Sequence, residues 1–408
     1  MTTFSAVGYS RLELANYANL TLYVAMVVLT VTMLAFAIHL AFTVPRRDAA
    51  GAVTGHGTDA VLAGHGTDEA TATAGDTDDA QAQKVAPREL AASGVGALGT
   101  GRAVRVGGPD VQEQGTQDPG AGDPGSPASG LSAGSGDAPG AQAARARRGE
   151  ALGSVGMSLS WLAAMLLLAS VVLRGVSVSR VPVANMFEFA VFGALLVMAV
   201  YLGLAMRWPI RWLGLFVVVP VLLVLGLALS VWYSPAAELL PSLQSLWLSI
   251  HVPIATLAVA VFTVAFSVLL VHLAKDRRET SLAQAAAEGE PSPARGPWAV
   301  LDSLPSARAL DSLAYGLHVV AFPLWTFSLI AGAIWAQRAW GSYWNWDPKE
   351  VWTFVIWVIY AAYLHARATS GWSRRTANIL AVLGYVAIIV NFAVVNVYFV
   401  GQHSYSGL

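Results

Sequence analysis

No cysteine occurs among the 408 residues. That excludes structural disulfides, thiolate-bound metals and cysteine nucleophiles within the chain, so any thiol chemistry it takes part in must come from a partner. Charge is scarce as well. Only 12% of the residues are Asp, Glu, Lys or Arg against 55% hydrophobic, and a net charge of -1 gives no signal for nucleic acid or acidic partners. With a mean hydropathy of +0.56, this balance excludes an ordinary soluble domain and points to a polytopic membrane protein. A basic n-region is missing too: Met1 to Asn19 carries Arg11 alone. The apolar run behind it, Leu20 to Val44, is too long for a cleaved signal and suits a spanning helix.

What is there is mostly long apolar runs. Besides the first, they fall at about 154–173, 185–206, 212–232, 249–274, 312–335, 350–366 and 377–400. Each is long enough for a hydrocarbon core of roughly 30 Å at about 1.5 Å per residue. The expected fold is therefore an all-α polytopic membrane protein of about eight transmembrane helices. Lysine and arginine set its orientation. With the N-terminus outside, nineteen of the twenty-four basic residues fall in inside loops, and the outside keeps Arg11, Arg174, Arg180, Arg338 and Lys349. This predicts an N-out, C-out protein.

Three regions follow. Residues 1–45 form an N-terminal segment and the first helix. Residues 46–150 are rich in Gly, Ala, Asp and Pro with few large apolar side chains. Such a segment buries too little surface to offset its ordering entropy, which predicts a long disordered cytoplasmic linker. Inside it Gly55-His56-Gly57-Thr58-Asp59 recurs as Gly64-His65-Gly66-Thr67-Asp68, which reads as repeat drift rather than a metal site. Residues 151–408 form the main membrane domain, with seven helices and a tryptophan-rich loop at 335–349.

That loop organises the rest. From Trp335 to Glu350 the chain reads W-A-Q-R-A-W-G-S-Y-W-N-W-D-P-K-E, between two apolar runs. Trp and Tyr collect at membrane–water interfaces, which accounts for two or three of these rings. The density, with Gly341 inside and Asp347-Pro348 closing it, suits a platform on which a large flat apolar ligand stacks.

The order W-G-S-Y-W-N-W-D-P-K-E, Trp340 to Glu350, closely resembles the tryptophan-rich "WWD" motif of haem-handling proteins in cytochrome c biogenesis. Within that superfamily the chain is most similar to the CcsA/ResC proteins of the system II pathway, from about residue 153 onward. The resemblance implies haem b as the transported ligand, with Trp340, Trp344, Trp346 and Asp347 in its site. Asp347 either orients the loop or meets a propionate through a water or Lys349.

Histidines fit this frame. His251 opens the helix after the 233–248 loop, and His403 follows the last helix, so both lie level with the tryptophan-rich loop. Two neutral imidazoles can ligate both axial positions of a haem iron. Ser249-Ile250-His251-Val252 resembles the segment around the family's first external histidine. Gly401-Gln402-His403-Ser404-Tyr405 resembles its G-L-H-S-Y ending, with Gln402 for Leu. The resemblance thus makes His251 and His403 axial ligands of an external haem. His365, fifteen residues after Glu350, lies about 22 Å further down its helix, and an ionisable group at such depth is a functional candidate. Its Leu364-His365-Ala366-Arg367 setting resembles the family's L-H-A-R and implies a ligand of a second, intramembrane haem. The other ligand there is expected from a ResB/CcsB-type membrane partner. His39 and His272 are expected to snorkel to the interface, and His318 to be a core residue or an intrachain partner of His365. Val181-Pro182-Val183-Ala184-Asn185-Met186-Phe187-Glu188 resembles P-x-x-N-x-Y-E, with Glu188 serving the external site or capping its own loop.

The function implied is a system II cytochrome c synthetase subunit in the bacterial plasma membrane. It would present haem on the outer face for thioether attachment to the C-x-x-C-H segment of apocytochrome c. A thioredoxin-like protein would keep the substrate thiols reduced. The residues assign no acid or base to this chemistry, so positioning carries it. Rival readings are a system I haem chaperone or lyase subunit, a non-enzymatic haem transporter, and a structural membrane subunit.

Overall fold

The computed structural model describes residues 10–43, 139–236, 245–289 and 297–403. The Gly-His-Gly-Thr-Asp copies and most of the 46–150 segment lie outside the described residues. Among those described the chain is all-helical: α1 (Arg11–Thr43), α2 (Pro139–Val178), α3 (Met186–Ala205), α4 (Gly214–Ser230), α5 (Leu246–Ala287), α6 (Ala307–Trp340), α7 (Pro348–Ala368) and α8 (Arg374–Ile389). A π-helical turn, Val390–Val395, carries α8 into a last turn, Asn396–Tyr398. Eight helical stretches are long and apolar enough to cross a membrane, with α8 counted through Tyr398. The expected number of spans is therefore the number found. An even number of spans returns residue 403 to the side on which residue 10 begins.

Local chemistry sets the helix ends. Asn185, Ser245, Ser306, Asp347 and Ser373 are N-caps whose side chains accept backbone N–H groups of the first turn. Asp347 and Glu350 form a full capping box with Pro348 as the first helical residue. One boundary differs from the sequence expectation. α6 continues past Trp335 to Trp340, where Gly341 takes φ 77°. Helix compatibility of Ala336, Gln337, Arg338 and Ala339 carries it on, and only a glycine adopts that left-handed stop without strain. The loop proper is thus Gly341 to Asp347, and Trp335 is a buried helical residue at 1% exposure.

Packing depends on close approach. In the α1–α2 pair, a Cβ on Gly153 would lie 2.8 Å from His39 Nδ1 and one on Gly156 2.9 Å from the Phe36 ring. Small residues allow this contact where lipid supplies no hydrophobic drive between helices. Gly384 of α8 likewise admits the Tyr360 ring of α7, 2.8 Å from where its Cβ would be. Side chains such as Leu20, Val27, Met165 and Leu223 remain exposed on the bundle's outside, as lipid-facing surfaces require.

Two histidines near the expected inner helix ends bond across helices rather than snorkelling. His39 donates from Nδ1 to the Gly149 carbonyl at 2.7 Å, and His272 to the Ala307 carbonyl at 2.9 Å. Both are buried, which corrects the interface expectation. The glycines of α2 and the 3-10 segment Pro297–Ser303 leading into α6 bring backbone over these rings. At the same end as His272, Asp311 receives two hydrogen bonds from Arg367, at 3.0 and 2.9 Å.

At the opposite end, where α6 stops and α7 starts, Glu188 is fully buried. It accepts from Arg174 Nε at 3.2 Å, Arg180 Nη1 at 2.7 Å and the Ala184 N–H at 3.0 Å. Arg174 also donates to the Ser234 carbonyl, so this carboxylate joins α2, α3 and the chain after α4. It caps its own loop. Removing one partner of a buried ion pair costs about 3–5 kcal/mol, because two guanidinium groups then lose their counter-charge. Glu188→Ala is expected to lower thermal stability in detergent by that order; an unchanged melting temperature would contradict the assignment.

Candidate functional site

At this tryptophan end a cavity of about 850 Å³ opens between α3, α4, α5, α6, α7 and α8. Its wall is mostly apolar or aromatic, with Lys349, Glu350 and Asn391 among its polar residues, and His251 and His403 both line it. The volume lies within the roughly 300–1,000 Å³ of small-molecule sites.

Each histidine is held by its Nδ1. His251 Nδ1 donates to the Ser328 carbonyl of α6 at 2.8 Å, since a carbonyl can only accept. His403 Nδ1 lies 2.8 Å from Asp347 Oδ2, and a carboxylate likewise fixes the proton on Nδ1. In both rings this tautomer puts the lone pair on Nε2, the arrangement that prepares imidazole as a metal ligand. Gly332 makes room for the first: a Cβ there would stand 2.8 Å from His251 Cε1. Gly401 makes room for the second, because a Cβ on it would overlap Asp347 Oδ1.

One indole lies against both imidazoles. Trp335 is parallel to His251, with centroids 6.3 Å apart and planes at 10°, and edge-on to His403 at 5.6 Å. Trp340 packs edge-on against both Trp335 and His403, at 4.7 and 4.8 Å. The expected platform is therefore divided. Trp335, Tyr343 and Trp344 line the cavity, whereas Trp340 backs His403. Trp346 is 77% exposed, holds a positive φ of 58°, and touches Trp344. Asp347 lies behind His403 rather than in the wall.

Asp347 is the best-connected group here. Besides His403 it accepts the Gln402 N–H at 2.7 Å and the Lys349 N–H at 3.2 Å. Burial alone would raise its carboxyl, but the His403 hydrogen bond, with the two backbone donors, outweighs this and holds it below the usual carboxylate value. Between the two readings of Asp347, the geometry is that of orientation.

The remaining predicted residue is elsewhere. His365 is exposed on α7 and does not line the cavity. His318 is 1% exposed, bonded to the Ala314 carbonyl at 2.7 Å and enclosed by Phe262, Tyr360 and Tyr363. The two are not brought together. Lys349, which the sequence raised only as a link between Asp347 and a propionate, and Asn391, which it did not single out, face the cavity from α7 and α8. Only Lys349 carried a local signal, through its place after Asp347-Pro348.

The model of the cytochrome c assembly protein family matches residues 157–403, from within α2 to the second cavity histidine. The chain belongs to that family. Similar proteins are named cytochrome c biogenesis protein CcsA. One from Synechococcus sp. (strain JA-3-3Ab) is 34% identical over 296 residues, covering 62% of this chain and 85% of the relative. Another from Parasynechococcus marenigrum (strain WH8102) is 35% identical over 260 residues, covering 60% and 84%. A third from Gloeobacter violaceus is 32% identical over 307 residues, covering 65% and 90%. The family match thus includes the helices that build the cavity and leaves α1 outside.

The Asp347 environment has a pH consequence. A carboxyl whose folded-state pKa lies below its unfolded value stabilises the fold above that value, and the contribution is lost as pH falls through the folded one. Melting temperatures measured from about pH 6 to about pH 3 should therefore fall more steeply for the wild type than for Asp347→Asn, since the ordinary carboxylate titrates near 3.9. Parallel curves would show that the carboxylate has no such linkage.

Proposed function

We propose that this CcsA-type, multi-pass membrane protein of cytochrome c biogenesis binds haem b as its substrate in the cavity, between His251 and His403. The observation that carries this is the pair of imidazoles on one indole, each with Nδ1 committed to a protein acceptor and both facing an apolar cavity. Bis-histidine ligation needs neutral imidazoles oriented by their other nitrogen, and Ser328 and Asp347 provide that orientation. Trp335, Tyr343 and Trp344 supply the aromatic wall for a planar macrocycle, and Trp340 steadies His403. Trp346, exposed at the loop tip, meets the edge of the macrocycle or the incoming polypeptide.

The reaction proposed is thioether attachment in which each thiol of a C-x-x-C-H segment of apocytochrome c adds across a haem vinyl group. The sulfur bonds to one vinyl carbon and the proton goes to the other, so the addition needs no oxidant. The chain contributes positioning and exclusion of water. With no cysteine of its own, it leaves the thiols to the substrate and their reduction to a thioredoxin-like protein. The excess of basic residues at the other end supports an outer-face site in a bacterial plasma membrane. His365, exposed on a spanning helix, suits a second haem whose other ligand comes from a ResB/CcsB-type partner. Enclosure of His318 supports a partner rather than an intrachain ligand.

Visible absorption of the purified protein tests this, wild type beside His251→Ala, His403→Ala and His365→Ala. A bis-histidine spectrum that changes in the first two variants, and a separate haem population that changes only in the third, are expected. Absence of haem from wild type prepared with its membrane partner would sink the reading.

A further inference from the structure

Lys349 lines the cavity beside Glu350. Its Nζ donates to the Asn391 carbonyl at 3.1 Å, which leaves two of three ammonium protons for other acceptors. The nearby carboxylates are committed. Asp347 is taken by His403, Gln402 N–H and Lys349's own backbone N–H. Glu350 accepts the Asn345 and Asp347 N–H groups at 2.8 and 3.2 Å. Among the described residues neither carboxylate forms an ion pair with the Lys349 ammonium. A cation in an apolar site inside a membrane protein is costly unless something pairs it.

A second observation lies across from it. Asn391 is 7% exposed and lines the same cavity, and its amide Oδ1 is buried with no hydrogen-bond partner. Rotating that amide by half a turn exchanges the oxygen for an NH₂ donor. Asn391 belongs to the π-helical turn Val390–Val395, and single π turns in long helices gather at functional sites. The ammonium and the amide therefore form a polar corner of the cavity, beside Glu350, whose carboxylate is held by the Asn345 and Asp347 N–H groups.

We infer that Lys349 and Asn391 form a carboxylate-binding subsite of the cavity, which takes a propionate of the haem. The inference rests on the haem reading above and adds to it the group that fixes how the macrocycle is turned about its axial histidines. Apolar walls and two axial ligands leave rotation about the iron–imidazole axis open. One charged edge contact closes it, and that rotation decides where the vinyl groups point. Lys349 is accordingly a positioning residue for thioether attachment.

The test compares haemin with haemin dimethyl ester, whose propionates are uncharged, by optical titration of the full-length protein in detergent. Wild type is expected to prefer haemin by about tenfold or more, as a charge-assisted hydrogen bond allows. Lys349→Met should abolish the preference while keeping the axial-ligand spectrum with both compounds, and Lys349→Arg should retain part of it. Should Lys349→Met fail to fold, Asn391→Asp leaves the lysine in place and sets a negative charge in the corner, with the same loss expected. Equal binding of haemin and ester by wild type, or a preference that survives both Lys349→Met and Asn391→Asp, would overturn the subsite while leaving the histidine ligands standing. Binding of neither compound by wild type would instead sink the haem reading and the subsite with it.

Discussion

Asp347 joins the end of the last helix to the start of α7 and to the loop between α6 and α7. Its oxygens receive His403 Nδ1, the Gln402 N–H and the Lys349 N–H, and it is also the N-cap of α7. A buried carboxylate that accepts several donors is worth more than a surface pair, and it sets His403 in one tautomer as it sets the backbone in one path. The rest of the site follows from that placement. Trp340 closes on His403, Trp335 closes on Trp340, and His251 lies flat on Trp335.

Four histidines of the bundle are held by the same device, with Nδ1 donating to another element. Gly149, Ser328 and Ala307 supply carbonyls to His39, His251 and His272, and Asp347 supplies a carboxylate to His403. What separates a structural histidine from a site histidine is what its other edge meets. His39 presses into the glycine notch of α2, and His272 Nε2 meets the Asn378 amide at 3.1 Å. His251 and His403 face the cavity. His318 is a different case, bonded within its own helix and walled by aromatic rings.

Much of the architecture was legible in the sequence because hydropathy reports on lipid exposure, and the eight apolar runs coincide with the eight spans. Helix extent was less legible. α5 reaches Ala287, well past the apolar run that ends near residue 274, because polar residues of good helix propensity prolong a helix into water at little cost. Trp335 looked like the start of a loop because tryptophans were counted together, whereas the stop signal is Gly341. Depth set the level of His251 and His403, as span ends place residues to within a turn, whereas their pairing as ligands was implied by the family resemblance. Contacts between distant segments were hidden: Glu188 with Arg174, Lys349 with Asn391, Asp311 with Arg367. Each is decided by helix rotation, which an all-apolar helix does not encode in its pattern.

Rotation also explains why the two ends of the bundle differ in character. The end bearing Asp311 is tied by charge: Arg367 grips that carboxylate with two hydrogen bonds, and its guanidinium lies 4.9 Å from the Tyr315 ring centroid. This fastens the last turn of α7 to the first turns of α6, two residues from His365. At the tryptophan end α7 is tied by ring contacts and by the Asp347 carboxylate, while Glu188 with Arg174 and Arg180 joins α2 and α3, and the polypeptide between Gly341 and Asp347 is short. Rigid attachment at one end and an aromatic enclosure at the other are opposite demands on α7. They are met by placing the bidentate ion pair and the capping box at its two termini, so that the helix between them can stay apolar. On that arrangement the side chains lining the cavity stand on backbones that are already fixed, while Tyr343 and Trp346 of the loop keep broad exposure.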